Sequence, residues 1–190
     1  MEIVIFVIIG LAVVLVLYGI AIYNALVRLK HNVDQAWSNI DVLLKQRHDE
    51  LPKLVETCKR YMQHERETLE RVVEARAAVS KARQAGDVAA LGIAEGALRA
   101  GLGGLFAVAE AYPDLKADAS FQQLQSRISL LEDSIADRRE FYNESVNNNN
   151  VRIEQFPDVI IARQFGFKSA ELLTFDEAEI ADVNIKELFE

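Results

Sequence analysis

The stretch QAWSNIDVLLKQRHDELPKLVETCKRY, residues 35–61, brings together residue types that often carry chemistry. It holds the only tryptophan of the chain, Trp37, the only cysteine, Cys58, and one of the three histidines, His48. A cysteine becomes a nucleophile when a neighbouring base and partial exposure favour its thiolate. The same side chains could instead form one face of a helix, and their spacing distinguishes the two interpretations.

The spacing favours packing over catalysis. The helical stripe that contains Trp37 and Cys58 also contains Ile40, Leu44, Leu51 and Leu54. His48 lies ten residues before Cys58, which places it about 80° away around a helix of 3.6 residues per turn. A cysteine–histidine pair would therefore require a break in the helix at Pro52. We predict that Trp37 and Cys58 belong to a core.

The sequence offers little for metal or phosphate binding. His64–Glu65 lacks the second histidine of a zinc-protease helix, because Thr68 occupies that position. The three histidines are too dispersed to predict a metal site. GLGG at 101–104 follows no strand and precedes no Lys-Ser or Lys-Thr pair, so it is not a phosphate loop. We predict no metal, no cofactor and no catalytic residue.

The segment Ile3–Tyr23, IVIFVIIGLAVVLVLYGIAIY, carries no charge. A helix of this length is about 31 Å long, which is enough to cross the hydrocarbon core of a bilayer. A cleaved signal peptide would need a basic start, a shorter apolar core and a cleavage site between small residues. Only Met1 and Glu2 precede this run, so we predict a retained transmembrane helix over residues 1–23.

The charges that flank this segment predict its orientation. Arg28 and Lys30 follow it closely, and no lysine or arginine precedes it. Positively charged flanks tend to stay in the cytoplasm, so we expect the N-terminus outside and the remaining domain inside.

The net charge of −8 is unevenly distributed, because residues 24–83 are net basic and residues 86–190 are net acidic. A mildly basic region next to the membrane suits anionic headgroups, so membrane lipid is an expected partner. A nucleic-acid-binding surface would need a basic stripe, which the sequence lacks. Nucleic acid is therefore excluded as a partner.

One amphipathic helical pattern runs from Val33 to Val79, with apolar residues at steps of three and four. Pro52 interrupts it. Either the helix kinks there, since the apolar stripe keeps its phase, or it ends near His48 and a new helix starts with Asp49 as its cap. The residues leave both interpretations open.

Further along, turn residues predict two more helices. Gly86 marks a helix end and Asp87 the N-cap of a helix that extends to about Tyr112. Pro113 marks a second turn. A long helix is then expected from about Ser120 to the FPD sequence at 156–158, because proline cannot continue the helical hydrogen bonds.

Two later segments are expected to be poorly ordered. Asn147–Asn150 should fray the long helix, because asparagine competes for backbone hydrogen bonds. Residues 168–190 contain seven acidic residues against two lysines. They are predicted to form a mobile acidic tail with an interaction segment such as IKELFE.

Two groups of residues are candidates for structural or interaction roles. Small residues recur every four positions at Gly92, Gly96, Ala100 and Gly104. This spacing predicts a face on which a neighbouring helix approaches closely, because each glycine otherwise costs a helix about 1 kcal/mol.

The charged residues Arg47, Glu65 and Arg76 fall inside the apolar stripe. Unpaired buried charges are expensive, so we expect these three to find partners across helices, including one another. They would form an ion-pair network that sets helix register. The alternative is that their long side chains reach the surface.

Several long motifs resemble the LemA family. YNALVRLKHNVDQAWSNIDVLLKQRHDELPKLVETCKRYMQHE at 23–65 is similar to the family pattern YN-x-LV-x-LR…AWS-x-IDV-x-L-x-RRHDLIPNLVETVKGY…HE. The likeness continues in LFAVAEAYPDLKA at 105–117, FQQLQ at 121–125 and IADRREFYN at 135–143. It ends in IEQFPDVIIARQFGF at 153–167.

The resemblance covers residues 23–167 and implies a membrane-anchored four-helix bundle, which favours a break between helices at Pro52. It supplies no agreed reaction, ligand or catalytic residue. Lys30, Arg60 and Asn149 depart from the family pattern, and the last change leaves any specific role of a second Tyr-Asn pair in doubt.

Together these observations predict an all-α chain with a single N-terminal transmembrane helix, an up-and-down four-helix bundle over residues 24–167 and an acidic C-terminal tail over 168–190. The predicted function is a non-enzymatic scaffold at the bacterial inner membrane that binds unknown protein partners or forms homo-oligomers. Candidate contact features are the small-residue face, the tail, and Phe165 and Phe167. The two phenylalanines could instead fold back and cap the bundle.

Two alternative hypotheses remain at this stage. The chain could be an accessory of a membrane protease or of an envelope-stress system. It could also be a hydrolase or a small-ligand binder with a polar pocket between helices near Arg47, His48 and Asp49. A deep cavity in which those side chains converge would favour the last hypothesis.

Overall fold

The computed structural model of the chain describes residues 1–174. These residues form six helices and contain no strand, so the predicted all-α class is confirmed for this part of the chain. The helices are α1 (Glu2–Lys59), α2 (Arg66–Ala85), α3 (Val88–Ala109), α4 (Pro113–Ala117), α5 (Ala119–Glu154) and α6 (Asp158–Phe165).

The described chain divides into two compact units. The first unit, which we call the proximal unit, contains residues 1–39 and 140–172. The second, the distal unit, contains residues 40–139 together with Leu173 and Thr174. Both α1 and α5 contribute residues to each unit.

The structure settles the alternatives at Pro52. Helix α1 continues through Pro52 to Lys59, so the break at Pro52 that the family resemblance favoured is wrong. Proline has no N–H and leaves the carbonyl oxygen four residues earlier without its helical donor. That oxygen belongs to His48, and it accepts a hydrogen bond of 3.0 Å from Nε of Arg76. A side chain of α2 thus replaces the hydrogen bond that proline cannot make, and the chain turns only after Lys59.

The first predicted turn is confirmed, whereas the second contains the short helix α4, which Pro113 begins. Gly86 ends α2 in the left-handed conformation with φ 67°, which glycine adopts without a steric penalty. Asp87 caps α3 by accepting a hydrogen bond of 2.8 Å from the backbone N–H of Ala90. After the short helix α4, Asp118 caps α5 in the same way through the N–H groups of Ser120 and Phe121.

Helix α5 does not fray at its asparagines, so that expectation is wrong. Asn149 is buried, and Asn150 both donates to the carbonyl oxygen of Ala170 and accepts from its N–H, each at 2.9 Å. The Nδ2 group of Asn149 also lies 3.4 Å from the carbonyl oxygen of Lys168. These amides bond backbone groups of Lys168 and Ala170, outside the helix, and do not compete with the helix backbone.

The same contacts bear on the predicted mobile tail. Its first residues are held along α5, since the hydroxyl of Tyr142 also donates to the carbonyl oxygen of Glu171 at 2.8 Å. Leu173 is buried at 1% exposure. The predicted mobility of the tail stays a prediction. Residues 175–190, including the predicted interaction segment IKELFE, lie outside the described part of the chain.

Most of the predicted core residues are buried. Ile40, Leu44, Leu51, Leu54 and Cys58 are each at most 1% exposed in the distal unit. Trp37, in the proximal unit, is only partly buried, and its ring packs against Tyr142 at a centroid distance of 5.4 Å. A separate apolar cluster of the proximal unit contains Ile22, Leu26, Ile153 and Ala162.

Two helices are long and apolar enough to cross a membrane by length and composition. Of the 18 most apolar consecutive residues of α1, 0% are buried, whereas 39% of the corresponding 18 residues of α3 are buried. Helix α3 buries Leu91, Leu98 and Leu102 in the distal unit, as expected for a core helix. The apolar start of α1 is compatible with a membrane protein.

The small-residue face of α3 differs from the prediction. A Cβ atom at Gly92 would overlap the carbonyl oxygen of Thr174, whereas Cβ atoms at Gly96 and Gly104 would meet no atom within 4 Å. Gly92 therefore permits a close approach, but to the segment after Leu172 and not to a neighbouring helix. The close helix contact is made by Gly101, where a Cβ atom would lie 3.5 Å from the side chain of Val72.

This difference predicts opposite effects of two similar substitutions. Gly96→Ala should stabilise the protein by about 0.5–1 kcal/mol, because alanine favours a helix and its methyl group fits open space. Gly92→Ala should lower the unfolding temperature, because the methyl group displaces Thr174 and the buried Leu173 beside it. Thermal unfolding in detergent, followed by circular dichroism, measures both. Shifts of the same sign would contradict the contact at Gly92.

Candidate functional site

The thiol and imidazole that could have formed a catalytic pair do not act together. Cys58 is fully buried, and this burial raises the pKa of its thiol to about 11. At neutral pH the group is a protonated, inert thiol. His48 instead contacts Arg76. The packing interpretation of Cys58 is therefore the one that the geometry supports.

A buried ion cluster is centred on Arg47. Arg47 of α1 is 1% exposed, and its Nη2 lies 2.5 and 2.6 Å from the two carboxylate oxygens of Glu95 of α3. Its Nη1 lies 2.5 Å from Oε1 of Glu132 of α5. We call these three residues the Arg47 cluster. One guanidinium thus links three helices of the distal unit.

Burial and charge act in opposite directions within the Arg47 cluster. Burial is the largest single effect and lowers the pKa of Arg47, but the charges of Glu95 and Glu132 and their hydrogen bonds together outweigh it, and the pKa is raised. For Glu95, burial raises the pKa more than the charge of Arg47 lowers it, and Glu132 raises it further. The arginine therefore stays charged and holds two carboxylates that could not otherwise be buried. Both carboxylates are engaged by the guanidinium, so the geometry is that of an ion cluster that links helices.

Sequence analysis identified Arg47 but missed both of its partners. Glu95 lies four residues after Leu91 and three before Leu98, inside the buried stripe of α3. Glu132 lies four residues after the buried Ile128 of α5. The reasoning that identified Arg47 as a charge within an apolar stripe, applied to α3, would have found Glu95.

The other two predicted network residues have different partners. Glu65 is partly buried and accepts a hydrogen bond of 3.3 Å from the hydroxyl of Tyr112. Arg76 is bound to His48 through its carbonyl oxygen and, at 2.7 Å, through Nε2. The expected pairing of Arg47, Glu65 and Arg76 with one another is therefore wrong. The physical reason is that other side-chain or backbone groups lie within hydrogen-bonding distance of each of them, namely Glu95 and Glu132 for Arg47, Tyr112 for Glu65 and His48 for Arg76.

The contact with Arg76 determines the state of His48. Because a guanidinium only donates hydrogen bonds, Nε2 of His48 must accept the hydrogen bond from Arg76. The proton of the neutral imidazole must then lie on Nδ1. Burial, followed by the positive charge of Arg76, lowers the pKa of His48 from its ordinary value of 6.5. The imidazole is therefore neutral at physiological pH.

This shift predicts how stability depends on pH. Between the lowered pKa and 6.5 the unfolded chain binds a proton at His48 and the folded chain does not, so the free energy of unfolding should decrease as the pH falls through this window. His48→Gln should reduce that decrease, because the glutamine oxygen can accept from Arg76 without titrating. His64→Gln, at an exposed position, is the control. Equal pH profiles for the two variants and the parent would contradict the contact.

The pocket considered for a hydrolase or ligand binder is not formed. Arg47 is enclosed by its two carboxylates, and His48 is occupied by Arg76. Asp49 is exposed. These side chains do not converge on a cavity. Within residues 1–174, no group of three or more His, Cys, Asp or Glu residues is placed to hold a metal ion.

A groove of about 430 Å³ runs between α2 and α3 in the distal unit. Small side chains dominate its wall, and it includes two members of the predicted small-residue face, Ala100 and Gly104. Gly96 is partly buried, and a Cβ atom there would meet open space. Apart from Gly92, the predicted face is thus not filled by residues 1–174.

Phe165 and Phe167 lie in the proximal unit beside Tyr23. Their ring centroids are 4.9 and 5.8 Å from that of Tyr23, in edge-to-face geometry. Phe167 packs against the Ile22–Leu26 cluster, whereas Phe165 remains 60% exposed. The two residues therefore fold back onto the end of the apolar part of α1.

Comparison with known proteins identifies relatives over most of the chain. The model of the LemA family matches residues 36–186, and the resemblance to this family is confirmed. Protein LemA of Metamycoplasma hominis is 28% identical over 170 residues, which are 87% of this chain and 74% of that protein. The match continues past Phe167, where we expected the resemblance to end, so that boundary is wrong.

Other relatives are magnetosome proteins. Magnetosome protein MamQ 2 of Paramagnetospirillum magneticum is 35% identical over 92 residues, 48% of this chain. Magnetosome protein MamQ of Magnetospirillum gryphiswaldense is 33% identical over 92 residues. The matched segment spans only 33% of the length of each of these relatives. None of these names describes an enzyme.

Proposed function

We propose that this chain, which belongs to the LemA family, is a membrane-anchored helical scaffold that acts by protein contact or self-assembly and performs no catalysis. In this proposal residues 3–23 cross the bacterial inner membrane once, with the N-terminus outside. The distal unit is a four-helix bundle on the cytoplasmic side.

The observation that carries the proposal is the exposure of the apolar start of α1. The 18 most apolar consecutive residues of this helix have a mean hydropathy of 3.2, and 0% of them are buried. Phe6 is 73% exposed and Leu11 60% exposed. So large an apolar surface is unstable in water and marks a membrane or protein contact. Its length matches a bilayer, and Arg28 and Lys30 at its end support the proposed orientation.

Contacts within the distal unit support a bundle of α1, α2, α3 and α5. The Arg47 cluster connects α1 to α3 and α5. Arg76 connects α2 to α1, and Val72 connects α2 to Gly101 of α3. Each helix is therefore bound to at least one other through a buried or partly buried contact, as in an antiparallel bundle with short connections.

The proposal that the chain is not an enzyme rests on how its polar side chains are used. Arg47, His48 and Arg76 would be the natural catalytic candidates, yet each is bound to a protein partner. Catalysis needs side chains that can approach a substrate. The groove between α2 and α3, with its small-residue wall, is better suited to receive a helix.

Photo-crosslinking of the full-length chain in bacterial membranes tests this function. A photoreactive amino acid at Ala100 lies in the groove between α2 and α3. The same residue at Gly103, which is exposed outside that groove, is the matched control. We expect Ala100 to give discrete adducts with protein partners or a second copy, and Gly103 to give few. An absence of discrete adducts at Ala100, in membranes that contain the protein, would overturn the scaffold proposal.

A further inference from the structure

The end of α5, the turn that follows and α6 expose large apolar side chains. Phe156 is 82% exposed, Ile160 is 59% exposed and Phe165 is 60% exposed. They lie within ten residues of one another in the proximal unit. Exposed apolar side chains grouped in this way mark a contact with an apolar partner.

These exposed side chains belong to a region that packs beside the apolar part of α1. Ile153 of α5 packs with Ile22 and Leu26. After the turn, the side chain of Ile161 in α6 lies 3.9 Å from the position of a Cβ atom at Gly19. Gly19 lies four residues inside the apolar run that ends at Tyr23, about 6 Å along a helix.

We propose that the α5–α6 turn and α6 insert into the cytoplasmic face of the bilayer beside α1, as a second contact with lipid. This inference rests on the proposed membrane span of α1. If α1 crosses the bilayer, the side chains beside Gly19 and Ile22 lie at the depth of the acyl chains or the interface. Phe156 and Ile160 then face lipid, and the protein is held by a pair of elements that limits its tilt and rotation.

The charges around α6 suit this position. Asp158 is buried and paired with Arg152, so its carboxylate is not presented to lipid. Arg163 and Lys168 are exposed, and so is Arg28, which follows the apolar run of α1 by five residues. Basic side chains can reach anionic headgroups while their neighbours lie in the apolar layer.

The aromatic residues support the same depth. Tyr23 contacts both Phe165 and Phe167 through edge-to-face rings. Aromatic side chains are favoured at the boundary between hydrocarbon and headgroups, tyrosine particularly so. Gly166, with φ 71°, ends α6 and directs the chain back towards Asn149 and Asn150, away from the apolar run.

Fluorescence quenching by brominated lipid tests the insertion. The full-length chain carrying Trp37→Phe receives one tryptophan in each of three variants: Phe156→Trp, Phe141→Trp and Tyr18→Trp. Phe141 is also exposed, at 50%, but lies fifteen residues earlier on α5, about 22 Å along the helix. Each variant is reconstituted into vesicles of phosphatidylcholine and phosphatidylglycerol with brominated acyl chains.

We expect the lipid to reduce the emission of the Phe156→Trp variant at least twofold and to leave the Phe141→Trp variant nearly unchanged. Tyr18→Trp reports on the span itself and should be strongly quenched. Quenching at position 18 without quenching at position 156 would overturn the inserted turn and leave the span intact. No quenching at position 18 would overturn both proposals. Circular dichroism before reconstitution confirms that each variant is folded.

Discussion

Arg47→Met is expected to lower the free energy of unfolding by about 3–5 kcal/mol, because it leaves two carboxylates without their cation. Arg47 is 1% exposed and Glu95 is 3% exposed, so water cannot replace the lost partner. Glu132, at 20% exposure, can be partly rehydrated. Chemical denaturation in detergent micelles, followed by circular dichroism, measures the loss.

A surface ion pair provides the control for this substitution. Arg66 pairs with Glu70 at 2.6 Å, but their side chains are 86% and 55% exposed. Arg66→Met should therefore cost far less stability than Arg47→Met, because exposed ion pairs contribute little. A similar small loss for Arg47→Met would show that the Arg47 cluster is not buried as described.

The triple variant Arg47→Met, Glu95→Leu, Glu132→Leu separates two explanations of the loss. If Arg47→Met is costly because it leaves unpaired buried charge, removing all three charges should restore most of the stability. If the triple variant is as unstable as the single one, the cost comes from lost packing and the role of charge is wrong.

Arg76→Met is expected to cost about 1.5–3 kcal/mol, because a hydrogen bond from a charged donor to the His48 carbonyl is lost. That carbonyl has no helical donor, since the residue four positions later is Pro52. The guanidinium thus donates the hydrogen bond that the backbone of α1 cannot donate to the His48 carbonyl.

A double-mutant cycle with Pro52→Ala tests this explanation. Alanine restores the N–H that can donate to the His48 carbonyl, so Arg76→Met should cost less in the Pro52→Ala background. We expect a coupling of about 1 kcal/mol, measured by denaturation of the four proteins. Additive effects within error would mean that Arg76 does not compensate for the proline. Arg71→Met, at an exposed position of α2, controls for loss of charge.

The helical elements were predictable because local sequence specifies them. Steps of three and four between apolar residues predicted the amphipathic helices, and Gly86 and Asp87 predicted the junction of α2 and α3. The hydrogen bonds of Gly86 and Asp87 are made to residues at most five positions away in the sequence. Such signals do not depend on how distant parts of the chain come together.

Two of the wrong predictions share a physical cause, which is a partner supplied from a distant part of the chain. Pro52 does not end α1, because Arg76 bonds the carbonyl that proline leaves free. Asn150 does not fray α5, because its amide binds both backbone groups of Ala170. Local propensity predicts the cost of such residues but not the contact that offsets it.

The candidate site was predicted only in part for the same reason. Arg47 could be recognised as a charge within an apolar stripe, but its pairing with Glu95 on α3 depends on how α1 and α3 meet. The small-residue face was placed on α3, but the close helix contact expected of it is made by Gly101 instead. Its exposure at Gly104 was not predictable, because it depends on the position of α2.

Alkaline carbonate extraction of bacterial membranes that contain the full-length chain tests the central claim most directly. Peripheral proteins are released by this treatment, whereas a protein with a membrane-spanning helix stays in the pellet. We predict that the chain remains in the pellet and is released only by detergent. Recovery of folded protein in the soluble fraction would contradict the membrane anchor, and with it the scaffold function and the lipid contact of α6.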